Sequence, residues 1–281
     1  MTYLLKFQQH KSRYQKFVQW KPNSVTTINE LFEQLSDHIT KWKKKETPAA
    51  QDEYYLNHLF PAVLEIFNWQ VQYDLAHPET GHLVFASSPR QDIPHPELLV
   101  QFVGFSIEPL LLMVSVLKPE KLLLYFSKET ERNFKNPLCS KWLTKYSYKG
   151  EVKDKIPING KNICLIDSSN TENIVKAIHA GVNHLNPSGK VAIDITGGKK
   201  VMSASAFLEA TISDFDIYYV DHEEYEESMP FPGTEFLSKL PSPMYYQVLY
   251  RMLLRRFNGD ETQAKSQLKK ILEILGRQEG I

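Results

Sequence analysis

The stretch that decides the fold is VAIDITGGKKVMSASAFLEA, residues 191–210. It opens with an apolar run, passes through an acid and two adjacent glycines, and continues with helical spacing. An apolar strand without polar alternation is typical of a parallel sheet covered on both faces, and a helix directly after it is typical of a βαβ unit. Gly197 and Gly198 therefore stand where a buried strand ends and a helix begins.

The same strand-then-helix pattern recurs from residue 98 onward and predicts the fold class. We expect an α/β fold with a Rossmann-like parallel sheet flanked by helices. The predicted strands are LLVQFVGF (98–105), EKLLLYFS (120–127), NICLIDSS (162–169), GKVAIDIT (189–196) and FDIYYVDH (215–222).

The chain divides into three regions that differ in composition and in predicted secondary structure. Residues 1–97 are predicted to form a smaller mixed α+β region of unknown role, with helices and a hairpin that pairs WQVQYDLA (69–76) with GHLVFASS (81–88). The proline-rich stretch 88–97 reads as a linker. We place the Rossmann-like domain at 98–240 and a helical tail at 241–281, with two amphipathic helices joined at Asn258-Gly259-Asp260.

Composition excludes some classes of function. The 33 Lys and Arg residues balance the 33 Asp and Glu residues, so a charged coat for nucleic acid is absent and direct DNA binding is not expected. Cys139 and Cys164 are far apart and are predicted to be free, buried thiols in a reducing compartment. The N-terminus lacks the apolar core of a signal peptide, and no apolar run reaches membrane-spanning length. These features predict a soluble, cytoplasmic protein without membrane partners.

The carboxyl ends of the predicted strands carry small polar and basic residues, and in an open parallel sheet that edge binds ligands. Gly197 and Gly198 allow positive φ and close approach to the main chain, and the following helix directs its N-terminal amides at the same space. With Lys199 and Lys200 beside them, they predict an anion site, most plausibly for phosphate. The alternative is a tight βα turn with exposed lysines. The spacing fits neither a Walker loop nor the dinucleotide fingerprint.

Three segments resemble the motifs of the CRISPR-associated Rossmann-fold (CARF) sensor domain. They are VGFSIEP (103–109), LLLYFSKET (122–130) and DITGGKKVM (194–202). The last segment is the most specific, since it follows the family pattern D-x-T-G-G-x-K-x-M. Lys199 departs from that pattern, because a small residue is common there. The resemblance covers about residues 98–222.

The resemblance implies a homodimeric receptor for cyclic oligoadenylate, such as cyclic tetra- or hexa-adenylate, in type III CRISPR immunity. It implies no cofactor and no metal. Lys200 is the expected charge-stabilising catalytic residue, with Ser106 or Ser127 holding the ribose 2′-hydroxyl. The implied ligand-binding residues are Gly104, Phe105, Ser127, Thr130, Asp167, Ser168, Thr196, Gly197, Gly198, Lys199, Lys200 and Met202.

Three functions follow from this resemblance and stay open at this point. The first is a metal-independent ring nuclease that cuts the messenger by 2′-hydroxyl attack. The second is a ligand-gated effector whose output lies in residues 1–97, and the third is a regulator that only senses the ring. RQDIPH (90–95) has the R-x4-H spacing of HEPN ribonucleases, but Pro94 and Pro96 exclude the helix on which that motif sits. A generic nucleotide-binding Rossmann enzyme is disfavoured because the dinucleotide fingerprint is missing.

Overall fold

A computed structural model of the chain describes residues 28–77, 80, 82–83, 93–135, 143, 148–226, 229–240 and 244–274. The strands are β1 (Leu98–Phe102), β2 (Lys121–Tyr125), β3 (Glu151–Lys153), β4 (Pro157–Ile158), β5 (Lys161–Asn162), β6 (Val191–Asp194), β7 (Asp216–His222), β8 (Tyr225–Glu226), β9 (Met229–Pro230) and β10 (Glu235–Leu240). The helices are α1 (Ile28–Lys43), α2 (Pro48–Tyr54), α3 (Phe60–Ala76), α4 (Glu108–Leu117), α5 (Lys128–Lys135), α6 (Thr171–Leu185), α7 (Lys200–Ser213), α8 (Met244–Arg256) and α9 (Glu261–Ile274).

The main sheet has six strands in the order β10-β7-β6-β1-β2-β3, and all neighbours are parallel except the β10–β7 pair. Every residue of the central strand β1 is buried, which explains why its sequence shows no polar alternation. Helix α6 packs against α7, and α3 packs against α4. The predicted α/β class, a mostly parallel sheet flanked by helices, is confirmed.

The edge of the sheet beyond β2 differs from the prediction. The third strand was expected at 162–169, but the strand in that position is β3. Only a short continuation of the predicted segment joins the sheet: Phe126 donates its N–H to the Cys164 carbonyl at 2.9 Å and accepts from the Ile166 N–H at 3.0 Å. The edge is therefore built from two pieces, because the β4–β5 hairpin with its left-handed Gly160 interrupts the chain between them.

The opposite edge also extends beyond the prediction. The predicted sheet ended at residue 222, whereas β10 adds an antiparallel strand that pairs with residues 217–222 of β7. An antiparallel edge strand on a parallel sheet is a common arrangement, and it needs only a short turn rather than a crossover helix.

The N-terminal hairpin prediction is wrong, because residues 69–76 are the second half of helix α3. The apparent alternation came from Gln70 and Asp74, which lie one helical turn apart and are both buried. The Gln70 side-chain amide donates to Asp74 Oδ2 at 2.7 Å, and His82 Nδ1 lies 3.2 Å from the same oxygen, while Asp74 Oδ1 has no hydrogen-bond partner among the described residues. Of the second predicted strand, Leu83 forms an isolated bridge to Lys239, and residues 84–88 lie outside the described residues.

A proline shapes the start of α3. The preceding turn, Tyr55–Leu59, is a π-helix in which the Phe60 N–H bonds the Tyr55 carbonyl, five residues back. Pro61 has no N–H for the Asn57 carbonyl, and its ring needs space there, so the widened turn accommodates it without breaking the helix.

One hydrophobic core joins the N-terminal helices to the sheet, since the same cluster of buried side chains contains Leu35 of α1, Val63 of α3 and Val100 of β1. The domain boundary at residue 98 therefore stays a prediction made from the change in sequence pattern. In the tail, α8 and α9 flank the predicted Asn258-Gly259-Asp260 joint and share a small separate cluster.

Cys164 is a buried free thiol, as predicted, and burial raises its pKa to about 11. Cys139 lies outside the described residues. None of the described helices combines the length and the apolar character needed to cross a membrane.

Candidate functional site

The strand order creates a crevice at the carboxyl ends of β1 and β6. These two strands are neighbours, with Gln101 opposite Asp194 in their last paired register. The chain leaves β1 toward β2 on one side and leaves β6 toward β7 on the other. Ligands of open α/β sheets bind at this kind of topological switch point, because the two departing loops leave a gap between them.

Glycines line the bottom of this crevice. A Cβ on Gly197 would overlap the Phe102 carbonyl, and a Cβ on Gly104 would lie 3.2 Å from the Gly198 amide nitrogen. Gly198 also has φ +80°, a left-handed conformation that glycine adopts without strain. The loops after β1 and β6 thus touch through bare main chain, and larger residues at these three positions would separate them.

Helix α7 begins directly above the glycine turn. Lys199 is its extended N-cap residue, and the Lys199 carbonyl accepts from the Met202 N–H at 2.8 Å and from the Ser203 N–H at 3.1 Å. The earlier amides, those of Lys200 and Val201, have no carbonyl within the helix to bond, as in every helix N-terminus. With the helix dipole, they give the turn a positive potential suited to an anion.

The buried carboxylate of Asp194 stabilises the glycine turn through two hydrogen bonds. Asp194 Oδ1 accepts from the Thr196 N–H at 2.8 Å, and Oδ2 accepts from the Gln101 side-chain amide at 2.6 Å. Burial raises the pKa of Asp194, although the bonds from Thr196 and Gln101 favour the charged form. Gln101 Oε1 is buried and has no hydrogen-bond partner among the described residues.

Asp194→Asn is expected to raise the free energy of unfolding at pH 7 by about 1 kcal/mol, because it removes a buried charge, an effect within the usual range of single substitutions. The hydrogen bonds are kept, since asparagine keeps an oxygen for the Thr196 N–H and its amide can donate to Gln101 Oε1 once the Gln101 amide turns over. Because burial raises the pKa of Asp194, the wild type bears an ionisation penalty only above that pKa. The advantage of asparagine should therefore shrink as the pH falls, and urea unfolding at pH 7 and pH 4.5 measures it.

The contradicting outcome for Asp194→Asn is an equal loss of stability at both pH values. Asp214→Asn is the control, because Asp214 is exposed and lies at the far end of α7.

Three other side chains contact the glycine turn or the strand beside it. Thr196 Oγ1 accepts from the Val220 N–H at 2.7 Å, and Met202 is buried under Gly198. Ser203, which the sequence analysis did not single out, donates its hydroxyl to the Gly197 carbonyl at 3.1 Å. The predicted ligand roles of Thr196 and Met202 stay predictions, and what the structure shows is bracing.

Ser127 and Thr130 lie at the neighbouring strand end and cap helix α5. The Ser127 N–H donates to Thr130 Oγ1 at 3.0 Å, and the Thr130 N–H approaches Ser127 Oγ at 3.4 Å. Both residues are buried. This reciprocal pattern is that of a capping box. Their predicted contacts with ligand also stay predictions, since each hydroxyl is already engaged by the other residue.

The remaining predicted residues stand at the rim. Gly104 is half-buried, Ser106 and Lys200 are exposed, and Phe105 is 75% exposed. Lys200 forms no ion pair with any residue that the structure describes. These residues follow β1 and β6 at the carboxyl edge of the sheet, and their predicted roles toward a ligand stay predictions.

Asp167 and Ser168 follow the short segment that bonds Phe126 at the edge of the sheet. The Asp167 carboxylate accepts from the Ser169 N–H and hydroxyl, and these bonds lower its pKa. Ser168 is buried. The structure brings Asp167 close enough to Lys199 for their charges to interact.

One contact at the rim was not predicted from the sequence. Lys199 Nζ lies 3.0 Å from Glu129 Oε1, and both side chains are about half exposed. This ion pair connects the loop after β2 to the turn after β6. Lys200 is therefore the lysine of the pair that the described residues leave available to a ligand.

Across the described ranges, no group of three or more His, Cys, Asp or Glu residues could hold a metal ion. Arg90 of the RQDIPH segment lies outside them, and His95 Nδ1 is 2.8 Å from the Leu117 carbonyl.

Neither the protein-family models nor the curated proteins give a match to this chain. Among solved structures, Can2 from Sulfobacillus thermosulfidooxidans in complex with cyclic tetra-adenylate is 15% identical with a TM-score of 0.36, and the match covers 44% of this chain and 32% of that one. Csm6 from Enterococcus italicus bound to cyclic hexa-2′-fluoro-hexa-dAMP is 12% identical with a TM-score of 0.42, covering 61% and 48%. Protein VC1899 from Vibrio cholerae is 15% identical with a TM-score of 0.34, covering 44% and 30%.

The chain thus spans between 30% and 48% of the length of these structures, and likenesses at such identities and TM-scores decide neither fold nor function. The strand order and the loops themselves define the class: an α/β protein with a glycine-lined, lysine-flanked crevice at the switch point of its sheet.

Proposed function

We propose that this chain is a CARF-type receptor for cyclic oligoadenylate. The observation that carries the proposal is convergence: the segments VGFSIEP, LLLYFSKET and DITGGKKVM, spread over a hundred residues, end three adjacent strands at one crevice. A messenger made of linked phosphates suits a bare glycine turn, a helix N-terminus and Lys200.

A second copy of the chain would complete the site. Val201, Leu208 and Ile212 share one face of α7 and are 37%, 46% and 50% exposed, and Phe105 projects from the same rim. Exposed apolar side chains at regular helical spacing support burial against another protein surface. A two-fold axis beside the crevice would present two equivalent rims to a ring with its own two-fold symmetry.

We further propose that the bound ring is cut without a metal. The ribose 2′-oxygen bonds to the adjacent phosphorus, the bond from phosphorus to the 5′-oxygen breaks, and the 2′-proton reaches the leaving 5′-oxygen through solvent. A 2′,3′-cyclic phosphate and a 5′-hydroxyl result. Lys200 stabilises the added negative charge on the non-bridging phosphate oxygens, and the main-chain amides of the turn assist it. Ser106 is better placed than Ser127 to hold the 2′-hydroxyl, because Ser127 is buried and capped by Thr130.

Purified protein mixed with cyclic tetra-adenylate and, separately, cyclic hexa-adenylate tests both parts of the proposal. We expect calorimetry to show that one of the two rings binds with a stoichiometry of one ring per two chains. Chromatography in the presence of EDTA should then show linear products that end in a 2′,3′-cyclic phosphate. Linear tetra-adenylate is the control ligand. Absence of binding to both rings would refute the receptor, and binding without products would refute the nuclease.

A receptor that only senses the ring is the second candidate, and a contact in the structure favours it. Glu108 begins α4 immediately after the crevice loop, and α4 packs against helix α3 of the N-terminal region. Movement of the loop on binding would therefore reach residues 1–97 through this packing, where an effector output would lie.

A further inference from the structure

The Glu129 carboxylate is paired with the ammonium group of Lys199. Lys199 Nζ lies 3.0 Å from Glu129 Oε1. Interactions with the Ser127 side chain, with Lys199 and with its own main chain bring the pKa of Glu129 down to about 2. Glu129 is thus ionised throughout the physiological range.

The position that the Glu129 carboxylate occupies is one that a phosphate oxygen would take. Lys199 is the N-cap residue of α7, and an ammonium group at a helix N-terminus is a usual partner of bound phosphate. Lys199 is also predicted from the sequence to contact ligand. The carboxylate therefore stands in the place of an anionic ligand group.

The charges at the rim also balance. Lys199 and Lys200 supply two positive charges, and Glu129 and Asp167 supply two negative ones, with Asp167 near enough to feel both Lys199 and Glu129. A single small anion entering this rim is attracted by Lys200 and the α7 N-terminus but is opposed by the charge of Glu129 until the Lys199–Glu129 pair opens.

We propose that Glu129 is a built-in counter-anion that closes the crevice and must leave Lys199 before a ligand phosphate can bind there. The identity of the ligand rests on the proposed function, whereas the counter-anion rests on the contacts alone. Glu129 then sets specificity, because a ligand with several linked phosphates can hold Lys200 and the α7 amides while it displaces the carboxylate. An isolated phosphate gains too few contacts to do so.

Glu129→Gln is the direct test, with calorimetric titration of cyclic tetra-adenylate and of inorganic pyrophosphate at low salt. We expect both to bind about three- to fivefold more tightly, the range that corresponds to an exposed ion pair of up to about 1 kcal/mol. The gain should shrink at high salt, where exposed charges are screened. Glu172→Gln is the matched control, since it removes an exposed, lysine-paired carboxylate from the first turn of α6 with the same change in net charge.

A second variant checks that the effect passes through Lys199. In a Lys199→Thr background, Glu129→Gln should no longer tighten pyrophosphate binding, and the Glu129 pKa measured by NMR should rise from its low value. An undiminished effect of Glu129→Gln in that background would overturn the exchange at Lys199.

The outcomes separate the two proposals. Ring binding that is the same in wild type, Glu129→Gln and Glu172→Gln overturns the counter-anion and leaves the receptor standing. Pyrophosphate binding that tightens only in Glu129→Gln, with no ring binding in any variant, supports the counter-anion and refutes the receptor. Failure of all variants to bind either anion overturns the counter-anion as well.

Discussion

Lys200→Ala is expected to weaken the binding of cyclic oligoadenylate by about 10- to 100-fold, because a hydrogen-bonded charge contributes about 1.5–3 kcal/mol. Lys200 is exposed at the first position of α7 and forms no ion pair with the described residues, so the variant should unfold at the same temperature as the wild type. If the ring is cut, the rate constant of cleavage measured at saturating ring should fall further than the affinity. That difference would show that the charge acts on the transition state as well as on the bound ring.

Lys190→Ala is the control for this experiment. Lys190 is an exposed lysine directly before β6, at the opposite end of the strand that leads to the glycine turn. The two variants lose the same charge from the two ends of one strand. Equal binding by Lys200→Ala and Lys190→Ala would contradict the role assigned to Lys200.

Gly197→Ala is expected to remove binding and also to destabilise the fold. Its Cβ would overlap the Phe102 carbonyl, which belongs to the rigid central strand β1 and has no flexible end to move aside. The turn must shift instead, and overpacking of this kind costs about 1–3 kcal/mol. Thermal unfolding and ring binding are both measured, since the shift would carry the α7 amides away from the crevice.

Gly160→Ala separates these two effects. Gly160 has φ +73° with nothing within 4 Å of an added Cβ, so alanine there strains the backbone of a distant hairpin without a clash. We expect a small loss of stability and unchanged binding. A Gly197→Ala protein that binds the ring normally would show that close contact of the two loops is not needed.

The sequence determined four strands of the main sheet, β1, β2, β6 and β7, together with the residues at their ends. Apolar runs without alternation predict buried parallel strands, and their neighbours along the chain, such as Gly198 and Lys200, must then lie at the carboxyl edge. The periodicity wrongly predicted a strand at residues 69–76, because the buried polar residues Gln70 and Asp74 gave a helix an alternating pattern. It did not predict β10, because that strand is defined by its pairing with β7 and not by a local pattern.

What only the tertiary structure decided is which polar groups remain available at the edge. Ser127, Thr130 and Thr196 looked like ligand contacts in sequence, but their oxygens engage the protein's own main chain, because every strand and helix end near a buried core must satisfy its amides. Glu129 and Lys199 are 70 residues apart, and nothing local predicts that they meet. The strand order brings the two residues together at the carboxyl edge of the sheet. As a result Lys199 is paired with Glu129, and Lys200 is the lysine that the described residues leave available to a ligand.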